Sequence, residues 1–448
     1  MESNSSAPAD VPPRLRGRAI VAACIGNFVE YYDFVMYGYF ATVIAKIFFP
    51  NDNDAAALLL VFAAFAVSYA ARPIGFLIFS HLGDKYGRKR PLAVAILLIA
   101  ASTTLIGLLP SYAAVGIIAP ILLVLARLVQ GISVGGEYGG ATTYIAEYSP
   151  PDRRGFYTGW QTFTIGLALA SGGGLATLLT SSLPAESLSS WGWRVPFLLG
   201  APLGLVGLYL RMKLSETPEF LRLQETAETV KSPLVASFRL HWREMLIGLG
   251  LQVGPAAILY VSFIYSPTYL SKVLGHGAAL SQGANLIGLL FYCLLLPLFA
   301  RLCDQVGRKP LLIVGAAAVA VVAYPSFLLF KSASFGLVVL GLCLIGLAYA
   351  PFAAALLAAL SELFPTSVRY TGLSVVLNVP TIVLGGTAPL IATYLVSATG
   401  DKLSPAYFVI GGALVSLVAA AFFRESLVRT RAERPEPRQA GKLQGSLD

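Results

Sequence analysis

Glu30 and Asp33 stand three residues apart in an otherwise apolar stretch, so a helix places both carboxylates on one face. Arg72 and Arg127 interrupt two further apolar stretches. A charge at the centre of a bilayer costs about 2.5–3.5 kcal/mol or more, so four of them mark a working site. Asp33 and Arg127 each lie deep within their stretches, where they can meet across an aqueous cavity. A carboxylate beside a guanidinium stays ionised, and withdrawing the guanidinium or closing the cavity favours protonation. That is the chemistry of a proton switch, with a permanent structural salt bridge as the alternative. Glu30 is a second candidate for the proton, or a substrate contact. Tyr31 and Phe34 follow the two acids closely enough to line the same cavity. Gln130, Gln161 and Asn285 can join them, or serve instead as hydrogen bonds between helices.

A second set of charged residues is repeated. Asp84-Lys85-Tyr86-Gly87-Arg88-Lys89 returns as Asp304-Gln305-Val306-Gly307-Arg308-Lys309. Glu147, Pro150 and Arg154 return with the same spacing as Glu362, Pro365 and Arg369. In D-x-x-G-R-K the Gly permits a tight turn. The Asp can sit at the positive end of another helix or pair with the Arg. With the Glu and Arg of the second motif, these groups make a breakable charge network suited to closing a gate. Anchoring to the membrane by loop charges explains Lys89 and Arg90, but not the acid that precedes each basic cluster.

The elements that carry these residues follow from composition. Of 448 residues, 56% are hydrophobic and 12% charged, against about 25% charged in soluble domains. The apolar residues come in runs of about 20, long enough to cross a bilayer as helices. The expected spans are 19–48, 55–80, 91–109, 113–144, 156–181 and 195–212, then 244–270, 281–300, 311–330, 335–361, 371–397 and 405–423. This is an all-α integral membrane protein with twelve transmembrane helices in two six-helix pseudo-repeats. The expected bodies are a tail 1–18, a bundle 19–212, a polar linker 213–243, a bundle 244–423 and a tail 424–448.

Most of the 32 Lys and Arg residues fall in the two tails, the linker and the even-numbered connections, which the positive-inside rule assigns to the cytoplasm. The net charge of +9 then reflects topology and contact with anionic headgroups, not nucleic acid. The first 18 residues have no apolar core, so no cleavable signal is expected. Cys24, Cys293, Cys303 and Cys343 lack metal spacing, and His81, His241 and His276 are scattered. No metal, cofactor or nucleophile–base constellation is therefore expected, which argues against an enzyme. Prolines and glycines within spans, such as Pro255, Pro351, Pro380 and Gly385-Gly386, read either as close packing or as hinges.

The loop Ser80-x-x-x-Asp84-x-x-Gly87-Arg88-Lys89 resembles the signature between the second and third helices of the major facilitator superfamily, with Ser80 and Ala300 where Gly usually begins it. Arg127-Leu-Val-Gln130-Gly131 is similar to that superfamily's fourth-helix motif. More specifically, Gly26 to Phe34, Ala71 to Gly75, Gly135 to Gly140, Trp191 to Phe197 and Glu216 to Phe220 resemble the metabolite:proton symporter family, which carries citrate, α-ketoglutarate, shikimate and proline/betaine. Tyr31 departs from that family's usual Trp.

The resemblance implies the major facilitator fold, proton symport, Arg72 and Arg127 near the substrate path, and a monomer in the bacterial inner membrane with both termini cytoplasmic. Two buried arginines suit a carboxylate, so the expected function is proton-coupled import of a small organic metabolite bearing one. The alternatives are proton-driven export of a small anionic antibiotic or metabolite, and uptake of a zwitterionic osmolyte. The tail from Arg424 to Asp448 shows no heptad repeat and so resembles the osmosensing members less.

Overall fold

The computed structural model describes residues 12–226 and 233–425. The expectations for residues 1–11, for 227–232 of the linker, and for the tail from 426 onward lie outside them. Among the described residues, twelve helices are long and apolar enough to cross a membrane. They are α1 (Pro13–Tyr39), α2 (Ala56–Tyr86), α3 (Lys89–Leu108), α4 (Ile118–Tyr148), α5 (Pro151–Ser182) and α6 (Ala185–Met212). The second six are α7 (Trp242–Ile264), α8 (Ala278–Val306), α9 (Arg308–Phe330), α10 (Phe335–Leu363), α11 (Arg369–Thr399) and α12 (Ser404–Phe422). Helices are the outcome because hydrocarbon offers no partner to a free backbone group, and a helix satisfies its own. Leu294, Val321 and Leu205 point outward on different spans, as a lipid-facing surface requires.

Several boundaries differ from expectation for identifiable reasons. The first apolar stretch breaks at Phe40 and resumes as a short helix, Ala41–Phe48. The sixth span begins at Ala185 rather than 195 because a π turn at Leu188–Gly192 carries the chain through a polar, Ser-rich segment. Helix α2 continues past the apolar run to Tyr86, so Asp84 lies on its last turn rather than in a loop. The linker, read as simply polar, contains two short helices, Pro218–Glu225 and Pro233–Leu240.

Within the first six spans, α1 packs on α4, α5 and α6, and α2 packs on α4. The α2–α4 contact is close because Gly131 and Gly135 lie directly over the carbonyls of Ser68 and Arg72, leaving no space for a Cβ. That contact brings the helix of Arg72 against the helix of Arg127. Within the last six, α7 packs on α11 and α12, and α8 on α10. The two sets meet where α2 and α4 face α11, and where α5 faces α8 and α10.

Two spans of the second set are not regular helices through their length. Helix α7 carries Pro255 and then a π turn at Tyr260–Ile264, and α11 carries Pro380 and a π turn at Thr381–Gly385. A proline lacks the N–H that the helix ladder needs, and wide turns form where the ladder is interrupted. The two irregular segments face each other: the Tyr260 ring lies against Gly385, and Gln252 donates to Thr381 Oγ1 at 3.3 Å.

The repeated motif shows the same backbone twice. Gly87 and Gly307 have φ of 111° and 108°, a region that L side chains rarely adopt. A Cβ at Gly87 would also meet the Glu216 carboxylate, and one at Gly307 that of Glu425. Gly87→Ala and Gly307→Ala are each expected to lower stability by about 1–3 kcal/mol. A fall in the thermal unfolding midpoint of the detergent-purified protein checks this, and an unchanged midpoint for both variants contradicts it.

Candidate functional site

Helix α1 carries two buried acids that pair with different arginines. Asp33 Oδ2 accepts from Arg127 Nη1 of α4 at 2.9 Å, and the same nitrogen donates to Gln130 Oε1 at 2.8 Å. Gln130 in turn donates to Thr103 Oγ1 of α3 at 2.9 Å. The guanidinium lies 3.5 Å from the Tyr37 ring centroid, a cation–π contact. Asp33 and Arg127 are thus in direct contact and not across a cavity. Gln130 completes this network and does not line the central cavity.

The second pair is looser. Arg72 Nη2 stands 3.8 Å from Glu30 Oε1, and both residues are buried. Neither Glu30 oxygen accepts a hydrogen bond, and Nε and Nη2 of Arg72 donate none. The Arg72 guanidinium is held instead by rings, 4.9 Å from Phe34 and 4.3 Å from Tyr69. Tyr69 donates to Tyr260 Oη at 3.1 Å, a hydrogen bond that joins the two six-helix sets at their centre.

Beside this pair lies a central cavity lined by Tyr31, Tyr138 and Thr162 from the first set and Gln252, Tyr260, Tyr292, Tyr349 and Thr381 from the second. Tyr31 and Tyr138 meet edge to face at 6.2 Å, and Tyr292 stacks on Tyr349 at 5.5 Å. The cavity measures about 30 Å³, room for a few waters at most. A larger solute can enter only if the two sets part or the irregular turns of α7 and α11 shift.

Of the other expected binding residues, Gln161 donates to Asn27 Oδ1 at 2.9 Å, and Asn285 accepts from Ser266 Oγ at 2.9 Å. Both tie elements together outside the cavity lining. Four of the five cavity tyrosines were not singled out, because they lie on four different spans and only the fold gathers them. A third buried pair was also missed as such: Arg211 of α6 grips Glu137 of α4, with Nη1 to Oε2 at 2.9 Å, and donates to Ala22 O of α1.

The repeated charged motifs gather at the face that carries the linker. Asp84 accepts from the backbone N–H groups of Tyr370 and Thr371 at 3.3 and 2.9 Å, capping α11 of the opposite set. Asp304 does the same for α5 through Gly155 and Phe156 at 2.8 and 2.7 Å. Arg88 pairs with Glu147 at 3.2 Å and Arg308 with Glu362 at 3.1 Å. Arg88 also donates to Thr366 O, and Arg308 to Pro151 O, each across the boundary. Arg369 crosses it too, with Glu147 at 3.3 Å.

Three further acids complete the network. Glu216 accepts from the N–H groups of Arg88 and Lys89 at the start of α3, and Glu425 from that of Arg308 at the start of α9. Glu219, on the linker helix Pro218–Glu225, bridges Arg154 at 2.8 Å and Arg369. Arg154 therefore pairs with Glu219 and not with Glu147, its neighbour in the motif, because Glu147 turns toward Arg88 and Arg369. The sequence signal was the position of Glu216 and Glu425, each just past the sixth helix of its half.

Twelve apolar helices around a buried, charge-balanced, tyrosine-lined centre define a multi-pass membrane transport protein, without enzymatic machinery in its known relatives. Residues 19–239 match the family described as sugar (and other) transporters, and residues 284–447 match the Major Facilitator Superfamily. The chain is 38% identical to the glycine betaine/proline/ectoine/pipecolic acid transporter OusA of Dickeya dadantii, over 92% of this chain and 84% of that one. It is 37% identical to a proline/betaine transporter of Salmonella typhimurium, with the same coverage. It is 36% identical to the ectoine/proline transporter ProP of Corynebacterium glutamicum, over 93% of this chain and 85% of that one. Among solved structures, the proton:xylose symporter XylE bound to 6-bromo-6-deoxy-D-glucose has the same fold, with a TM-score of 0.76 at 18% identity over 92% of this chain and 96% of that one. The chain belongs to the major facilitator superfamily.

Burial works to raise the Glu219 pKa, but the Arg369 and Arg154 guanidiniums outweigh it and hold the group below its ordinary value of 4.5. A lowered carboxylate pKa stabilises the folded protein fully above pH 4.5, and that contribution fades as pH falls toward the lowered value. Glu219→Gln is expected to lose this component. The stability difference between wild type and variant, followed by thermal unfolding from neutral to acid pH, should shrink below pH 4.5. A difference that stays constant would remove Glu219 from the network's energetics.

Proposed function

We propose that this protein imports a zwitterionic osmolyte of the betaine or proline type together with protons. The observation that carries the reading is the centre itself: five tyrosines line the cavity, beside two arginines each paired with an acid. The expected carboxylate cargo rested on two buried arginines, whose forks suit a carboxylate. Arg127 is engaged by Asp33 and Gln130, and Arg72 faces Glu30, so the centre has no surplus positive charge for a di- or tricarboxylate. A neutral solute with separated charges fits better. The electron-rich tyrosine faces suit an onium group, and the open donors of Arg72 suit a single carboxylate. The names of the relatives point to the same class of solute.

Transport proceeds by alternating access, with spans α1–α6 and α7–α12 as the two moving bodies and the linker face, by its basic residues, in the cytoplasm of a bacterial inner membrane. The charge network of Asp84, Gly87, Arg88, Glu147, Arg154, Asp304, Gly307, Arg308, Glu362 and Arg369 is the cytoplasmic gate, held shut in this state. Glu30 and the Asp33–Arg127 pair are the candidates for proton coupling.

Proteoliposomes with an alkaline interior are expected to accumulate glycine betaine or proline, and a protonophore to abolish it. Accumulation of citrate, α-ketoglutarate or shikimate without either zwitterion would overturn the reading, and proton-driven efflux would turn it into export. Tyr260→Leu is expected to raise the KM for betaine by about fivefold, from the ~1 kcal/mol of a partly desolvated cation–π contact.

A further inference from the structure

The two acid–arginine pairs of α1 are built differently. Asp33 holds a 2.9 Å hydrogen bond to an Arg127 that is itself fixed by Gln130 and by the Tyr37 ring. Although Asp33 Oδ1, Arg127 Nε and Arg127 Nη2 remain unpartnered, the pair is anchored on α1, α3 and α4 at once. Glu30 and Arg72 lie 3.8 Å apart without a hydrogen bond between them, and Arg72 keeps Nε and Nη2 open. Arg72 touches Tyr69, whose hydroxyl bonds to the cavity residue Tyr260, and Glu30 adjoins the cavity residue Tyr31. The loose pair is the one a cavity solute can reach.

We propose that Glu30 carries the coupled proton and that the substrate's carboxylate loads it by taking Arg72. The inference rests on the zwitterion reading above. Arginine offers five N–H donors in a planar fork, and a carboxylate of the solute can engage those that Glu30 leaves open. Once Arg72 turns to the solute, Glu30 is a buried acid without a counter-ion. The groups around it offer no substitute: Asn27 and Tyr31 on its own helix, Glu137 and Tyr138 on α4, and Tyr69 and Tyr260 from α2 and α7. Glu137 is an acid, already held by Arg211, and its charge opposes a second anion nearby.

A buried carboxyl group in that setting takes a proton from water, forming one O–H bond and becoming neutral. When the solute leaves, Arg72 returns to Glu30 and the O–H proton passes to water on the other side. One proton therefore moves with each zwitterion. The Asp33–Arg127 pair is a positioning device in this scheme, not the carrier.

Calorimetry of the purified full-length protein with glycine betaine, in two buffers of different ionisation enthalpy at mildly alkaline pH, counts the protons taken up on binding. Wild type is expected to take up about one per betaine, with a protonated-carboxyl band in infrared difference spectra. Glu30→Gln is expected to bind betaine without proton uptake, without the band, and with an affinity that no longer varies with pH. An Asp33→Asn protein that folds and binds betaine is expected to keep both the uptake and the band. Uptake that survives in Glu30→Gln overturns the proposal, as does its loss in an Asp33→Asn protein that still binds. If Glu30→Gln does not fold, Glu30→Asp decides: a carboxyl band shifted in frequency supports the proposal, and an unshifted band overturns it. Wild-type binding without proton uptake defeats this inference only. Failure of wild type to bind either betaine or proline defeats the zwitterion reading and this inference with it.

Discussion

Every charge buried in this molecule has to be balanced inside it, because hydrocarbon provides neither water nor counter-ions. That constraint fixes how the first six spans pack. Asp33 requires Arg127, which brings α1 to α4. Glu30 requires Arg72, whose side chain reaches from α2 to within 3.8 Å of it. Glu137 requires Arg211, which ties α4 to α6 and, through Ala22 O, to α1. Glycines permit the approach by removing the Cβ atoms that would hold α2 and α4 apart. The ion pairs alone would add little net stability after desolvation, but losing one partner leaves an uncompensated charge. They therefore select one arrangement of helices more than they stabilise it.

The same logic applies at the linker face, with a difference in reversibility. There the acids meet helix ends and arginines near water, where an exposed or re-paired charge costs far less than at mid-depth. Asp84 on α11 and Asp304 on α5 each cross the boundary between the two sets. In the proposed gate these contacts hold the face closed while the sets are together and are exchanged for water when they part. The linker takes part directly: Tyr144 and Tyr148 hold Ser215 O, Glu216 caps α3, and Phe220 lies 4.5 Å beneath the Arg88 guanidinium. A connection read from composition as a polar tether is in fact a packed element of this network.

Much of the architecture was legible because it repeats or runs long. Twelve apolar stretches and two copies of each charged motif need only local patterns and counting, and the superfamily signature is local as well. The four intramembrane charges were legible by type, since any charge in an apolar run stands out. Which acid met which arginine was less legible: Asp33 and Arg127 were placed at similar depth, yet depth does not reveal whether water or direct contact lies between them. The tyrosine lining was not legible. Tyr260, Tyr292 and Tyr349 sit in apolar surroundings where a tyrosine raises no signal, Tyr138 sits beside Glu137 in a glycine-rich segment, and only the crossing of α4, α7, α8 and α10 gathers them. Glu219 was visible as part of a familiar motif, but its role between Arg154 and Arg369 depends on how a short helix folds back.

The centre also explains why selectivity and coupling can reside in one place. A dianion entering a balanced site would leave at least one charge unpaired in low dielectric, at a cost of several kcal/mol. A zwitterion brings its own balance: its carboxylate can replace Glu30 at Arg72, and its onium end can rest on tyrosine faces. The one group displaced by this exchange is Glu30, and a carboxyl group can lose its charge by binding a proton where an arginine cannot lose its own. Neutralising the displaced acid restores the balance that the rest of the helix packing demands. In the proposed scheme, solute recognition and proton loading are two sides of one electrostatic condition, set by the 3.8 Å gap between Glu30 and Arg72.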